Sequence, residues 1–151
     1  MRFHIIAVGR LRHSVEGNLF EHFRGRIRWP LDIHEIDDRK SGTDGRKARE
    51  GKAILAAIPD GAMVAVLDGK GRDLGSEGLA ARIGDWRDSG ICDVAFVIGG
   101  ADGLAEDVRR RADLVLAFGR ATWPHLLVRG MLAEQLSRAQ QILAGHPYHR
   151  A

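Results

Sequence analysis

Two uninterrupted apolar runs constrain this chain most: Ala62-Met63-Val64-Ala65-Val66-Leu67 and Val94-Ala95-Phe96-Val97-Ile98. A strand with one wet face alternates apolar and polar residues. A strand that is apolar throughout is buried on both faces, as in a parallel sheet covered by helices on each side. Further short β-branched runs occur at Phe3–Val8, around Leu31, Ile33 and Ile36, and at Leu114–Ala117. Between them lie segments of helical periodicity. Leu19, Phe20, Phe23 and Ile27 mark a helix from Val15 to Arg28, and Ala48, Ile54, Leu55 and Ile58 a second, closed by Pro59-Asp60-Gly61. Ser76 is placed to cap a third, carrying Leu79, Ile83 and Trp86. Leu104–Ala112 is a short fourth helix, and Pro124–Ala144 the longest. Strand and helix alternate without linker, repeat or low-complexity segment. The reading is α/β: one domain over 1–151, with a mostly parallel sheet and helices on both faces.

Charge and cysteine content narrow the function. There are 23 Lys+Arg against 20 Asp+Glu, a formal charge of +3. That permits a polyanionic partner without requiring one. The cations crowd the first third: Arg10, Arg12, Arg24, Arg26, Arg28, then Arg39, Lys40, Arg46, Lys47 and Arg49. Such runs are mostly solvated helix faces; a polyanionic partner would give the first five a binding task. The single cysteine, Cys92, excludes an internal disulfide and a cysteine metal cluster. No signal peptide or membrane-length apolar stretch is seen, so the expectation is a cytoplasmic protein without a membrane partner.

Ligands of parallel sheets gather at the carboxyl ends of the strands, and three such ends look prepared. Leu67-Asp68-Gly69-Lys70-Gly71-Arg72-Asp73-Leu74-Gly75 has glycines spaced GxGxxxG, one residue too long for a dinucleotide fingerprint. Its bland alternative is a flexible turn. In Ile98-Gly99-Gly100-Ala101-Asp102-Gly103, paired glycines after a buried strand let a ligand approach the backbone, so Gly99→Val is expected to fill ligand space. Phe118-Gly119-Arg120-Ala121-Thr122-Trp123 leads into the long helix, whose first amides attract polar ligand groups. His125 follows; it is a candidate base or a buried, hydrogen-bonded core histidine.

The terminus is unusual. Gly145 can end a helix in the left-handed conformation and Pro147 prevents it from restarting. Tyr148, His149 and Arg150 then offer a stacking ring, a titrating imidazole and a fixed cation. A helix already terminated leaves little core dependent on these residues, which favours catalytic apparatus over a folding element. His146 and His149 as metal ligands are disfavoured: Pro147 interrupts the helix, and no Asp, Glu or Cys joins them locally.

In order along the chain, Leu67-Asp68, Val97–Leu104, Thr122–Arg129, Leu132–Ala139 and His146-Pro147-Tyr148-His149-Arg150 closely resemble the RlmH family. These are pseudouridine N3-methyltransferases of large-subunit ribosomal RNA and small members of the SPOUT class. The resemblance spans the chain and is most specific over the last thirty residues. It implies a C-terminal deep trefoil knot, bent S-adenosylmethionine, and a homodimer in which the tail completes the partner's active site. The implied substrate is a pseudouridine in helix 69 of the RNA, in the assembled ribosome. The implied cofactor residues are Leu67, Gly99, Gly100, Phe118, Gly119, Arg120, Ala121, Thr122 and Trp123, with no metal. Phe118-Gly119-Arg120 departs from a serine-containing form of this loop. Backbone contacts to adenine survive that change; a serine hydroxyl contact does not. The implied catalytic residues are Tyr148 to position the base, His149 to take the N3 proton, and Arg150 to stabilise the imide anion or hold phosphate. A SPOUT enzyme acting on transfer RNA and a non-catalytic nucleotide-binding regulator are the alternatives.

Overall fold

A computed structural model describes residues 1–37 and 45–147. Arg39, Lys40, Tyr148, His149 and Arg150 lie outside the described residues. Strand β1 is Arg2–Val8, β2 Leu31–Ile36, β3 Met63–Arg72, β4 Asp93–Ile98 and β5 Leu114–Leu116. Helices α1 (Val15–Arg24), α2 (Arg46–Ala57), α3 (Gly75–Asp88), α4 (Glu106–Arg111) and α5 (His125–Leu143) alternate with them. The strands form one parallel sheet in the order β2-β1-β4-β3-β5.

Alternate side chains along each strand feed two cores. Phe3, Ile5, Ala7, Phe96 and Ile98 pack with Phe20 of α1, Leu79 and Ile83 of α3, and Leu132 and Leu136 of α5. Ile6, Val8, Val64, Val66 and Val97 face the other way, onto Ile54 of α2 and Val108 of α4. Burial on both faces is what the uninterrupted apolar runs require. Among the described residues, no helix is long and apolar enough to cross a membrane.

Three local expectations are corrected. First, α1 ends at Arg24 rather than Arg28. The chain continues as a tighter turn, with Arg26 N–H donating to Phe23 and Ile27 N–H to Arg24. Pro30 disfavours helical backbone at Trp29, and Gln140 of α5 grips the turn by accepting from Arg28 N–H and donating to the Arg26 carbonyl. Second, Ser76 does not cap α3; its hydroxyl donates to Gln135 Oε1 of α5 at 2.7 Å. Third, Asp68–Arg72 is not a flexible turn but the continuation of β3, whose ladder with β5 shifts so that Leu67 and Arg72 both register with Leu116.

Gly71 makes that bulge possible. A Cβ there would lie 2.7 Å from the carbonyl carbons of Val115 and Leu116, which is closer than atoms can pack. At Gly69 nothing lies within 4 Å of the same position. Gly71→Ala is therefore expected to lower stability by about 1–3 kcal/mol through overpacking, and Gly69→Ala to leave it nearly unchanged. Urea denaturation of the two variants checks this; equal midpoints would contradict it.

Candidate cofactor cavity at the strand ends

The bulged end of β3, the glycine turn after β4 and the loop between β5 and α5 enclose a cavity of about 470 Å³. All nine cofactor residues expected from the sequence line it: Leu67, Gly99, Gly100 and Phe118 through Trp123. Leu67, Ile98, Leu116 and Val128 supply apolar wall, while the loop supplies mostly backbone.

The loop has the properties of a polar-ligand cradle. Gly119 has φ of +80°, a conformation open to glycine and costly to residues with a Cβ. The Trp123 indole N–H donates to the Phe118 carbonyl at 2.9 Å and draws the two ends together. Among the described residues, no amide N–H of Phe118–Trp123 donates within the chain. Six neighbouring donors are thus available to a ligand.

Gly99 and Gly100 line the cavity, but the space behind them is filled. A Cβ on Gly99 would meet Leu104 Cγ and Cδ2 at 3.0 Å, and one on Gly100 would meet Val8 Cγ1 at 2.9 Å. Gly99→Val therefore presses first on Leu104, which itself lines the cavity. The turn is closed by Gly103 N–H donating to the Gly100 carbonyl.

Sequence reasoning did not single out two ion pairs beside the cavity. Asp68 Oδ2 lies 2.6 Å from Arg109 Nη1, with the Asp68 side chain only 11% exposed. Its Oδ1 accepts from Lys70 N–H, so one carboxylate shapes the bulge and neutralises α4. The second pair is Arg129–Glu35. Arg129 is fully buried. Nη1 donates to Glu35 Oε2 at 2.6 Å and Nη2 to the Gly9 carbonyl at 3.0 Å. Glu35 Oε2 also accepts from Leu11 N–H. The single-residue signal was weak, since an arginine in an amphipathic helix normally faces water.

His125 opens α5 at the cavity edge, half-buried. It is not the hydrogen-bonded core histidine considered above: among the described residues its ring has no hydrogen-bond partner. Burial, then the Arg129 charge, hold its pKa below 6.5, so it is neutral at pH 7. The basic residues separate. Arg10 pairs with Asp37 and Arg24 with Glu21. Arg10 and Arg12 lie after β1, whereas Arg26 and Arg28 lie beyond the far end of α1. At the terminus, His146 N–H donates to the Gln141 carbonyl and Gly145 N–H to Ile142, a Schellman ending with Gly145 at φ +71°. Among the described residues no group of three His, Cys, Asp or Glu is arranged to hold a metal.

This chain belongs to the SPOUT methyltransferase family, whose profile, described as "Predicted SPOUT methyltransferase", matches residues 1–149. It is 59% identical over 152 residues to the ribosomal RNA large subunit methyltransferase H of Rhodospirillum centenum, covering 100% of both chains. The protein of that name from Paramagnetospirillum magneticum is 53% identical, with 99% of each chain covered. A methyltransferase structure from Legionella pneumophila, solved with bound SAM, shares the fold at TM-score 0.50 and 12% identity, over 95% of this chain and 66% of that one.

The Arg129–Glu35 pair fixes the start of α5 under the cavity and carries an acid-linked stability. Burial alone would raise the Glu35 pKa. The Leu11 amide and the Arg129 guanidinium outweigh burial and hold it below 4.5. The contribution is therefore complete above about pH 4.5 and lost as pH falls through the lower folded value. Arg129→Met should cost about 3 kcal/mol, because Glu35 and two carbonyls lose their donor. Glu35→Gln should flatten the decline below pH 4.5. Urea midpoints at neutral and acid pH check both; parallel acid limbs for wild type and Glu35→Gln would refute the linkage.

Proposed function

We propose that this chain, as one domain over 1–151, is an S-adenosylmethionine-dependent methyltransferase of large-subunit ribosomal RNA. Its target is N3 of a pseudouridine in helix 69 of the assembled ribosome. The observation that carries the reading is full-length identity of 59% to a protein named for that class of reaction, together with a cavity formed by all nine expected cofactor residues. A ribosome-bound substrate carries a cytoplasmic location with it as part of the same proposal. The deep trefoil knot belongs to the same reading. It is supported by the return of the chain from β5 at the sheet edge, through the Phe118–Trp123 loop, to α5 packed on α1 and α3.

The cavity suits the cofactor. Loop amides without partners match the polar edge of adenine, and Leu67, Ile98 and Val128 match its faces. S-adenosylmethionine supplies a methyl group activated for in-line displacement. The protein must align the attacking nitrogen and remove its proton. The N3 proton is an imide proton, so the neutral base is a poor nucleophile at pH 7. Arg150 stabilises the developing anion, His149 accepts the proton, and Tyr148 stacks on or fixes the base. His125, neutral and at the cavity edge, is the competing acceptor.

A homodimer is part of the proposal. Val15 on α1 is 82% exposed. Leu127 and Met131, four residues apart on α5, are half-buried yet packed into neither core. These apolar side chains on two packed helices are the ones proposed to meet their counterparts in a two-fold contact. Leu127→Glu with Met131→Glu should shift sedimentation from dimer to monomer; unchanged sedimentation would place the interface elsewhere.

The decisive experiment maps ribosomal RNA methylation by mass in a deletion strain. One methyl should vanish from a modified uridine in helix 69 and return with the purified protein and cofactor. Intact methylation would end the reading. Trp123→Ala, which releases the loop, should weaken S-adenosylmethionine binding by about tenfold in calorimetry. Deleting residues 148–151 should leave melting temperature and cofactor affinity unchanged and cut methyl transfer by at least about a hundredfold. Full activity of that truncation on ribosomes would remove the tail from the mechanism.

A further inference from the structure

A second cleft, of about 710 Å³, opens where α1, α3 and α5 end. α5 is 19 residues long, so its two ends stand about 27 Å apart. The cofactor cavity lies at the first end and this cleft at the second. Its cations are Arg26, Arg28 and Arg87, beside Trp29, Gln140 and His146, and no Asp or Glu lines it.

Its cations are held ready rather than used up. Among the described residues, neither Arg26 nor Arg28 has a carboxylate partner. Arg26 stands over the Phe23 ring at 5.8 Å. Arg87 contacts Asp88 but keeps half of its side chain in solvent. The backbone beneath is fixed by the two Gln140 bonds to Arg26 and Arg28. A cationic turn held by side-chain bonds from another helix is more ordered than an ordinary solvated helix face.

We infer that this cleft binds the phosphodiester backbone of the substrate RNA, as an anchor remote from the methyl-transfer site. The inference rests on the proposed RNA substrate. Guanidinium groups carried on a fixed backbone match phosphate geometry and contact it without reading sequence. A second copy of the chain is a poorer occupant, because a two-fold contact here would set arginine against arginine. The anchor also divides the basic residues by task. Arg26 and Arg28 serve the cleft, while Arg10, paired with Asp37, does not.

The test compares wild type with Arg26→Ala/Arg28→Ala, both full length with cofactor present, on purified ribosomes between about 50 and 200 mM salt. The double variant should raise the KM for ribosomes by about tenfold or more and leave saturated kcat unchanged. It should reduce the slope of log affinity against log salt by about 0.7–0.9 for each lost phosphate contact. Calorimetric affinity for S-adenosylmethionine and the sedimentation coefficient should not move. Arg26→Lys/Arg28→Lys should keep most of the salt slope. An unchanged slope would overturn the inference. So would a shift to monomer, which makes the cleft a self-interface, or a loss confined to kcat, which makes it a support for the C-terminal residues. Wild type that binds ribosomes without methylating them would defeat the proposed function, whereas active variants of unchanged slope would defeat the cleft alone.

Discussion

The buried guanidinium of Arg129 is the interaction on which the functional end of this fold depends. A parallel sheet with helices on both faces is held by its two apolar cores, but those cores do not specify where α5 begins relative to β1. Arg129 does. Its fork joins α5 to Glu35 near the end of β2 and to the carbonyls of Val8 and Gly9 where β1 turns toward α1. A hydrophobic replacement fills the volume but takes the guanidinium donors from Glu35 and the two carbonyls, leaving Glu35 only the Leu11 amide, and a lysine cannot reproduce the planar geometry. One turn before Arg129 lies His125, and directly before that the loop that lines the cavity. Fixing Arg129 therefore fixes the frame in which the loop is hung.

The cavity itself is made more by backbone than by side chains. β3 bulges because Gly71 lets two backbones approach, and the bulge carries Asp68, Gly69 and Lys70 to the rim. The loop turns at Gly119 and is clasped by Trp123 onto the Phe118 carbonyl. Polar recognition by amide groups constrains sequence only through conformation. A loop that recognises through its amides can change side chains, as Phe118-Gly119-Arg120 illustrates, provided its conformation is kept.

This division decides what could be read from the chain alone. The uninterrupted apolar runs identified β3 and β4, because burial on both faces leaves no other solution for them. The three strand ends converged as expected, and Gly145 ended α5 as its type and position implied. What failed depended on partners distant in sequence. The α1 end was misread because Gln140, more than a hundred positions away, holds the following turn. Ser76 was misread as a cap because Gln135 claims its hydroxyl. That the missing Cβ of Gly99 faces Leu104 is visible only in the structure, because it depends on how the turn after β4 folds back. Arg129 and Asp68 sat within the recognised motifs without a role, because a buried charge is recognised by its partner and not by its own surroundings in sequence.

The same partners settle the electrostatics of the site. In the proposed reading the cavity holds a sulfonium cation, which a strongly positive cavity would oppose. Yet Arg109, Arg129 and His125 all lie around or beneath the cavity. Asp68 neutralises the first at 2.6 Å and Glu35 the second at 2.6 Å. Burial, reinforced by the charge of Arg129, keeps His125 uncharged near neutral pH. Lys70 on the bulge and Arg120 on the loop remain as exposed cations at the rim, where solvent screens them. Beyond α1, among the described residues, Arg26 and Arg28 line the second cleft without a carboxylate partner. Carboxylates thus sit against the two arginines beside the cavity, whereas none lines the second cleft, so the two surfaces differ in how far their guanidinium groups are paired.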